Sequence, residues 1–260
     1  MSDDFEHRGT LRALSVLQAL NRDGGATVMQ LHRATGLPRP SIYRIVNTLC
    51  LGGYVRRSSD RKYRLTFLVR MLSDGLRDDE GLLEVAAPIL DELGKTVQWP
   101  TDLSTFLNYS MYLRDTTRQQ SPLTLDRATV GWRLPMLKTA HGRAYLAFCP
   151  IEERELILKA LARSRDPDNV LARQTAPVRA MIEKTREMGF GSRNGETDPK
   201  TGSIAVPIVF EDRVLGCMGI TFIASALTPA IAADQHLSRL KEAAANVELL
   251  YREIPERRGG

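Results

Sequence analysis

An α+β chain of two domains is what this sequence predicts, and three observations carry that expectation. Its 260 residues are enough for about two domains of roughly 100–200 residues each. The front patterns as three short helices and a basic hairpin. The remainder patterns as hairpins and helices without regular strand–helix alternation, which favours a mostly antiparallel sheet with helices on one side. Charge divides the chain at the same place. Residues 1–76 hold 12 Lys+Arg against 6 Asp+Glu, and residues 77–260 hold 24 against 25. No acidic residue stands between Asp23 and Asp60, where Arg33, Arg39, Arg44, Arg56 and Arg57 fall. A cationic surface without counter-charges is what a polyanion partner requires. The competing reading is a solvated basic face with no partner.

The elements follow in order. Thr10–Asn21 carries Leu11, Leu14, Val16, Leu17 and Leu20 at helical spacing, with Thr10 as N-cap and Asp23-Gly24-Gly25 as the stop. Thr27–Thr35 is a second helix, capped by Thr27 and closed by Gly36. A third runs from about Pro38 to Leu51, where a proline in the first turn forfeits no hydrogen bond. Its Ile42, Ile45, Val46 and Leu49 face inward. Its other face presents Arg39, Pro40, Ser41, Tyr43, Arg44, Asn47 and Thr48. Tyr54–Arg57 and Lys62–Leu65 alternate around a polar turn, which reads as a hairpin. Three helices and a basic hairpin in that order make a winged helix-turn-helix. The third helix would enter the major groove of double-stranded DNA, and the hairpin would lie along the backbone or minor groove. Base reading then falls to Arg39, Ser41, Tyr43 and Arg44, because arginine can donate two hydrogen bonds to guanine. Arg56, Arg57, Arg61 and Lys62 suit phosphates. Tyr43 could equally pack against the wing.

Residues 67–79 space their apolar side chains as a linker helix. Leu82–Val97 is amphipathic with a kink expected at Pro88. Asp102–Leu107, Ser110–Arg114 and Leu134–Lys138 read as strands. Helices are expected over Ala140–Phe148, Ile151–Arg163 and Ala176–Met188. Ile204–Phe210 and Val214–Phe222 form a hairpin, and Thr228-Pro229 opens a helix to about Arg252. The units expected are therefore a DNA-binding domain at 1–66, a linker helix at 67–79, an α/β sensor at 80–253, and a tail at 254–260.

Composition excludes several classes. With 43% hydrophobic and 26% charged residues the chain is ordinary globular protein. No apolar run approaches the ~20 residues needed to cross a bilayer. The acidic start, Met1–Glu6, lacks the apolar segment of a secretory signal. Cys50, Cys149 and Cys217 are distant from one another and odd in number, so neither disulfides nor zinc are expected. No nucleophile elbow, Walker loop or metalloprotease motif is present. Gly189-Phe190-Gly191 followed by Gly195 misses the spacing of a dinucleotide loop. A cytoplasmic non-enzyme without cofactor, catalytic residues, metal or membrane partner is expected.

Three stretches carry a family resemblance. ATGLPRPSIYRIVNTLCLGGYVRR (Ala34–Arg57), RLPMLKTAHGRAYLAFCP (Arg133–Pro150) and GSIAVPIVFEDRVLGCMGITF (Gly202–Phe222) together resemble IclR-family bacterial transcriptional regulators, in the family's order and over nearly the whole chain. WPTDLSTF (Trp99–Phe106) further resembles MhpR-like members, which activate catabolism of aromatic acids. The resemblance implies that 80–253 is a GAF-like effector-binding and oligomerisation domain. It implies a homodimer or homotetramer on a pseudo-palindromic operator, with RNA polymerase an optional partner. It also implies a small, aromatic carboxylate effector held by Leu123, Ala140, His141, Arg193, Ser203, Gly219 and Thr221.

The residues themselves bear on that site. Thr139 can cap the helix that starts at Ala140, leaving N–H groups aimed at a small anion. Arg193 stands where some relatives carry an acid, and would suit a carboxylate; a solvated loop arginine is the alternative. His141 is either a ligand contact or a packing residue. Trp132, Met136 and Phe222 are candidates for an apolar wall. Rival functions are a small-molecule enzyme with an appended DNA-binding module and a non-specific DNA-binding protein.

Overall fold

The computed structural model of the chain describes residues 3–66, 68–69, 72, 80–123 and 130–253. Backbone packing separates two units, Met1–Asp78 and Asp79–Gly260.

The first unit is α1 (Asp3–Asp23), α2 (Val28–Thr35), α3 (Arg39–Leu51), β1 (Val55–Arg57) and β2 (Tyr63–Leu65). Helix α1 starts at Asp3 rather than Thr10. Thr10 therefore lies within the helix instead of capping it. Helix α2 is capped reciprocally. Thr27 Oγ1 accepts from the Gln30 N–H, and Gln30 Oε1 accepts from the Thr27 N–H at 2.9 Å. Such a cap contributes about 1 kcal/mol. Gly36 ends α2 in the left-handed region. His32 Nδ1 donates to the Leu37 carbonyl at 2.8 Å, which holds the turn into α3. Val16, Leu20, Leu31, Ile42, Val46, Val55 and Tyr63 form the core, with Ile45 and Leu49 half-buried at its edge. Ala26 and Tyr63 exchange backbone hydrogen bonds of 3.0 and 2.8 Å, anchoring the hairpin to the helices. The linker helix expected over 67–79 lies outside the described residues except at 68, 69 and 72, and so does the 254–260 tail.

The second unit opens with α4 (Glu80–Val97), which runs through Pro88 as one helix. Its sheet has six strands: β3 (Thr101–Leu107), β4 (Ser110–Thr116), β5 (Arg133–Leu134), β6 (Gly191–Asn194), β7 (Thr201–Phe210) and β8 (Arg213–Ile223). Their order is β5-β4-β3-β8-β7-β6, and every neighbouring pair is antiparallel. The remaining helices are α5 (Ala140–Phe148), α6 (Ile151–Arg163), a 3₁₀ turn at Pro167–Arg173, α7 (Thr175–Met188) and α8 (Pro229–Arg252).

Three expectations need correction. Helices cover both faces of the sheet, not one. Ile204, Val206 and Ile208 of β7 share a core with α4 and α8, while Ala205 packs in a second core with α5 and α7. Successive strand side chains point to opposite faces, and an almost unbroken apolar run is what a strand buried on both faces carries. Each large apolar side chain so buried contributes roughly 1.5–3 kcal/mol. The strand expected at Leu134–Lys138 is only Arg133–Leu134, because Pro135 has no N–H for a ladder. Strand β6 was not expected, since Gly191-Ser192-Arg193-Asn194 has no apolar alternation. A Cβ on Gly191 would stand 2.1 Å from the Ala140 carbonyl oxygen, so glycine lets this edge strand lie directly on α5.

Candidate functional site

Two surfaces concentrate chemistry, one in each unit. On α3, Ile42 and Val46 are fully buried and turn the opposite side of the helix outward. Arg39, Pro40, Tyr43, Arg44 and Asn47 stand exposed there, and Ser41 is half-buried. Tyr43 is 52% exposed, so it does not pack into the unit's core. Arg39 Nη2 lies 3.0 Å from the Met29 sulfur of α2. On the hairpin, Arg56, Arg57 and Arg61 are exposed and Lys62 is half-buried. The Arg57 guanidinium sits 5.9 Å from the Tyr63 ring centre.

Asp60, the acid that ends the acid-free window, is engaged inside the hairpin. Its two oxygens accept from Arg64 Nη1 and Nη2 at 3.0 and 2.8 Å, and Oδ1 also accepts from the Lys62 N–H. The Arg64 hydrogen bonds hold its carboxyl below the usual range. Asp60 thereby shapes the turn and offsets Arg64, not the outward arginines. Among the described residues, Arg44, Arg56, Arg61 and Lys62 make no ion pair.

The second unit holds a cavity of about 490 Å³ between the sheet and the start of α5. Deep in it, Arg118 Nε and Nη2 donate to Asp102 Oδ1 and Oδ2 at 2.9 and 2.6 Å. Thr116 and Thr221 hydroxyls also donate to that carboxylate, at 2.7 and 3.0 Å. Burial alone would raise the Asp102 carboxyl, but the adjacent guanidinium outweighs it and holds the group below its ordinary value. Arg193 Nη1 and Nη2 donate to the carbonyl and hydroxyl of Thr201, each at 2.8 Å.

Thr139 caps α5 by accepting from the Gly142 N–H, which places His141 in the first turn. His141 Nδ1 pairs with Ser104 Oγ at 2.7 Å, and Nε2 has no hydrogen-bond partner among the described residues. Burial, only partly offset by the charge of Asp102, lowers its pKa to about 4, so the ring is neutral near pH 7. A Cβ on Gly219 would stand 2.4 Å from Nε2, so the ring fills the space that a side chain at 219 would take. Around the rim, Lys138 pairs with Asp168 at 2.8 Å, Arg133 with Asp166 at 2.6 Å, and Arg143 with Glu196 at 2.9 Å.

Of the seven expected effector residues, His141, Arg193, Ser203 and Thr221 line this cavity together. Ala140 is buried in the α5 core and Gly219 lies behind the imidazole. Leu123 is half-buried in a turn, its N–H bonded to Ser121 Oγ, and does not line the cavity. Trp132 does line it, whereas Met136 and Phe222 belong to the two cores. Sequence reasoning missed Asp102, Arg118, Lys138 and Asp168. Asp102 and Lys138 lie within stretches that carry the family resemblance, but no spacing joins the four, because the sheet and turns bring them together across long stretches of chain.

The arrangement supplies hydrogen-bond donors and acceptors in a half-enclosed polar site. It does not supply an activated nucleophile from the buried cysteines. Burial pushes the Cys149 thiol up to about 12 and raises Cys217 as well, and a thiol, unlike a thiolate, is a poor nucleophile. Among the described residues no group of three His, Cys, Asp or Glu could hold a metal ion. No described helix is long and apolar enough to cross a membrane.

Comparison with known proteins places these features. Residues 77–249 match the model of the bacterial transcriptional regulator IclR C-terminal domain, and residues 9–59 that of the IclR helix-turn-helix domain. The regulator KdgR of Escherichia coli is 24% identical over 76% of this chain and 75% of its own length. The IclR of Thermotoga maritima superposes with a TM-score of 0.65 at 18% identity, covering 94% of this chain and 97% of that one. An IclR homologue from Microbacterium hydrocarbonoxydans, solved in complex with 4-hydroxybenzoate, gives a TM-score of 0.66 at 23% identity, covering 94% and 99%.

Proposed function

This chain belongs to the IclR family of bacterial transcriptional regulators, and from that footing we propose that it reads an operator through α3 and the β1–β2 hairpin under control of a small carboxylic acid. Residues 1–66 bind DNA, 67–79 link, and 80–253 sense the effector and assemble the oligomer. The observation that carries the reading is the outward side of α3 and the hairpin, where Arg44, Arg56, Arg61 and Lys62 make no ion pair among the described residues. Polyanion binding draws on such unscreened cations.

Arg39, Ser41, Tyr43 and Arg44 contact base edges, with Pro40 and Asn47 beside them, and Arg56, Arg57, Arg61 and Lys62 contact phosphates. A homodimer or homotetramer sets two α3 helices in major grooves of a pseudo-palindromic site, roughly one turn or a multiple apart. The effector, an aromatic acid, occupies the cavity against His141, Arg193, Ser203 and Thr221. The relative that holds 4-hydroxybenzoate supports the aromatic class. Ligand binding shifts which DNA-bound arrangement is favoured, through unequal affinity for the two. The protein works in the cytoplasm without turning its ligand over, and RNA polymerase is a further partner.

Fluorescence anisotropy with the chain's own upstream region tests the DNA half. Tighter binding than to random duplex at matched salt is expected, and equal binding defeats it. A thermal-shift titration with 4-hydroxybenzoate tests the cavity, since a ligand bound only to the folded state raises its stability. Arg193→Ala should weaken that shift by the worth of a charged hydrogen bond, about 1.5–3 kcal/mol, and leave operator binding intact.

A further inference from the structure

Helices α1 and α3 border a trough of about 390 Å³ in the first unit. Arg12 of α1 and Arg44 of α3 both line it, with Ser41. Arg12 and Arg44 are exposed, and among the described residues neither has an ion-pair partner. No acidic side chain lines the trough among the described residues. The Thr48 hydroxyl, also at its edge, donates to the Arg44 carbonyl at 2.9 Å, which leaves Ser41 as the hydroxyl donor. Its apolar side is Ile45 and Leu49, half-buried at the margin of the core.

The Arg12 guanidinium beside an aliphatic surface, with the base-reading Arg44 and Ser41 at the α3 edge of the trough, matches one chemistry well. A sugar–phosphate strand alternates an anion, which takes donors from arginine, with a deoxyribose that offers aliphatic carbon. Arg44 and Ser41 belong to the helix that the proposed function sets in the major groove. A trough on the flank of that helix, toward α1, adjoins the strand that borders the groove. We propose that α1 is part of the DNA interface: the α1–α3 trough cradles the backbone of one strand, and Arg12 is a phosphate contact. The inference rests on α3 being the reading helix. It adds a sequence-independent grip on a second element, which fixes the angle at which α3 enters.

Arg12→Ala and Arg12→Lys in the full chain test it, because an exposed side chain can be changed without touching the core. Binding to operator and to random duplex is measured by anisotropy across a salt series. Loss of one phosphate contact makes the slope of log K against log salt shallower by about 0.9. Arg12→Ala should show that change, with the same fold loss on both duplexes, and Arg12→Lys should keep the wild-type slope. An unchanged slope and affinity in Arg12→Ala overturns the proposal while leaving α3 as the reader. So does a loss confined to the operator, which would make Arg12 a base contact. So does unchanged DNA binding with lost response of RNA polymerase in a transcription assay, which would give the trough to a protein. A wild-type chain that does not prefer its operator removes the reading of α3, and the trough falls with it.

Discussion

On α3 and the hairpin, Arg44, Arg56 and Arg61 stand exposed with no ion pair among the described residues. In the second unit, Arg118 and Lys138 in the cavity and Arg143 beside it are each held by a carboxylate, at 2.6, 2.8 and 2.9 Å. The same residue types are put to different physical use. Unpaired surface cations act at range and through counterion release, so they grip any duplex and lose that grip as salt rises. Paired and partly buried cations contribute little field beyond the site. They offer fixed donors, and their free energy lies in geometry and burial. On the proposed function, the first use suits a large, uniformly charged partner and the second a small one that must match a shape.

The strongest way to break that contrast is to unpair the buried end of it. Asp102→Asn removes the negative charge of the carboxylate that holds the Arg118 guanidinium, itself 5% exposed, and should destabilise the second unit by up to about 3–5 kcal/mol. Denaturant unfolding reads this directly, and a change below about 1 kcal/mol would show the pair to be dispensable. The wild type should also weaken in acid through this group. Its folded carboxyl lies below the unfolded one, so the stabilisation is complete above about pH 4 and is lost as pH falls through the lower folded value.

His141 gives the next largest effect and carries a different pH signature. The unfolded imidazole takes its proton near pH 6.5, about the ordinary value, whereas the folded ring waits until about 4. Below pH ~6.5 the unfolded chain therefore binds more protons, and stability falls by about 3 kcal/mol by pH 4. His141→Gln should flatten the stability profile between pH 4 and 7. An unaltered profile would mean that the imidazole protonates without hindrance in the folded unit.

Smaller effects sharpen the contrast on the DNA side. Arg44→Ala should relax discrimination at one base pair by about 1–3 kcal/mol, measured with single-base operator variants. A uniform loss across variants would assign Arg44 to phosphate. Arg61→Ala should instead reduce the salt slope by about 1 without changing discrimination. Smallest of all, Arg133→Ala at the cavity rim removes a partly exposed pair with Asp166, and should alter stability by less than about 1 kcal/mol. A larger loss would place the rim among the structural elements of the site.

Legibility differs between the units for related reasons. Nearly every feature of the first is local. Thr27 caps α2 through a residue three positions on, Gly36 closes it, and Ile42 and Val46 lie one helical turn apart. Short-range spacing therefore displays both the elements and the outward arginines. Errors there are at ends, as with Thr10, which a helix starting at Asp3 takes into its interior. In the second unit the hairpins and the α5 cap were readable for the same reason, and so was the place of His141. Strand β6 was not, because an edge strand held against α5 by Gly191 needs no apolar alternation.

The order and type of most elements, the basic front with its outward residues, and the family are thus legible in the amino acids alone. That helices cover both sheet faces, and which side chains share the cavity, follows only from how the strands assemble. Asp102 is joined to Arg118 sixteen positions away and to Thr221 at a separation of 119. That meeting exists because β3 pairs with β8 in the middle of the sheet. Caps, turns and amphipathic faces are written within a few residues of one another. Side-chain partners across a sheet are set by strand order, which no local spacing encodes.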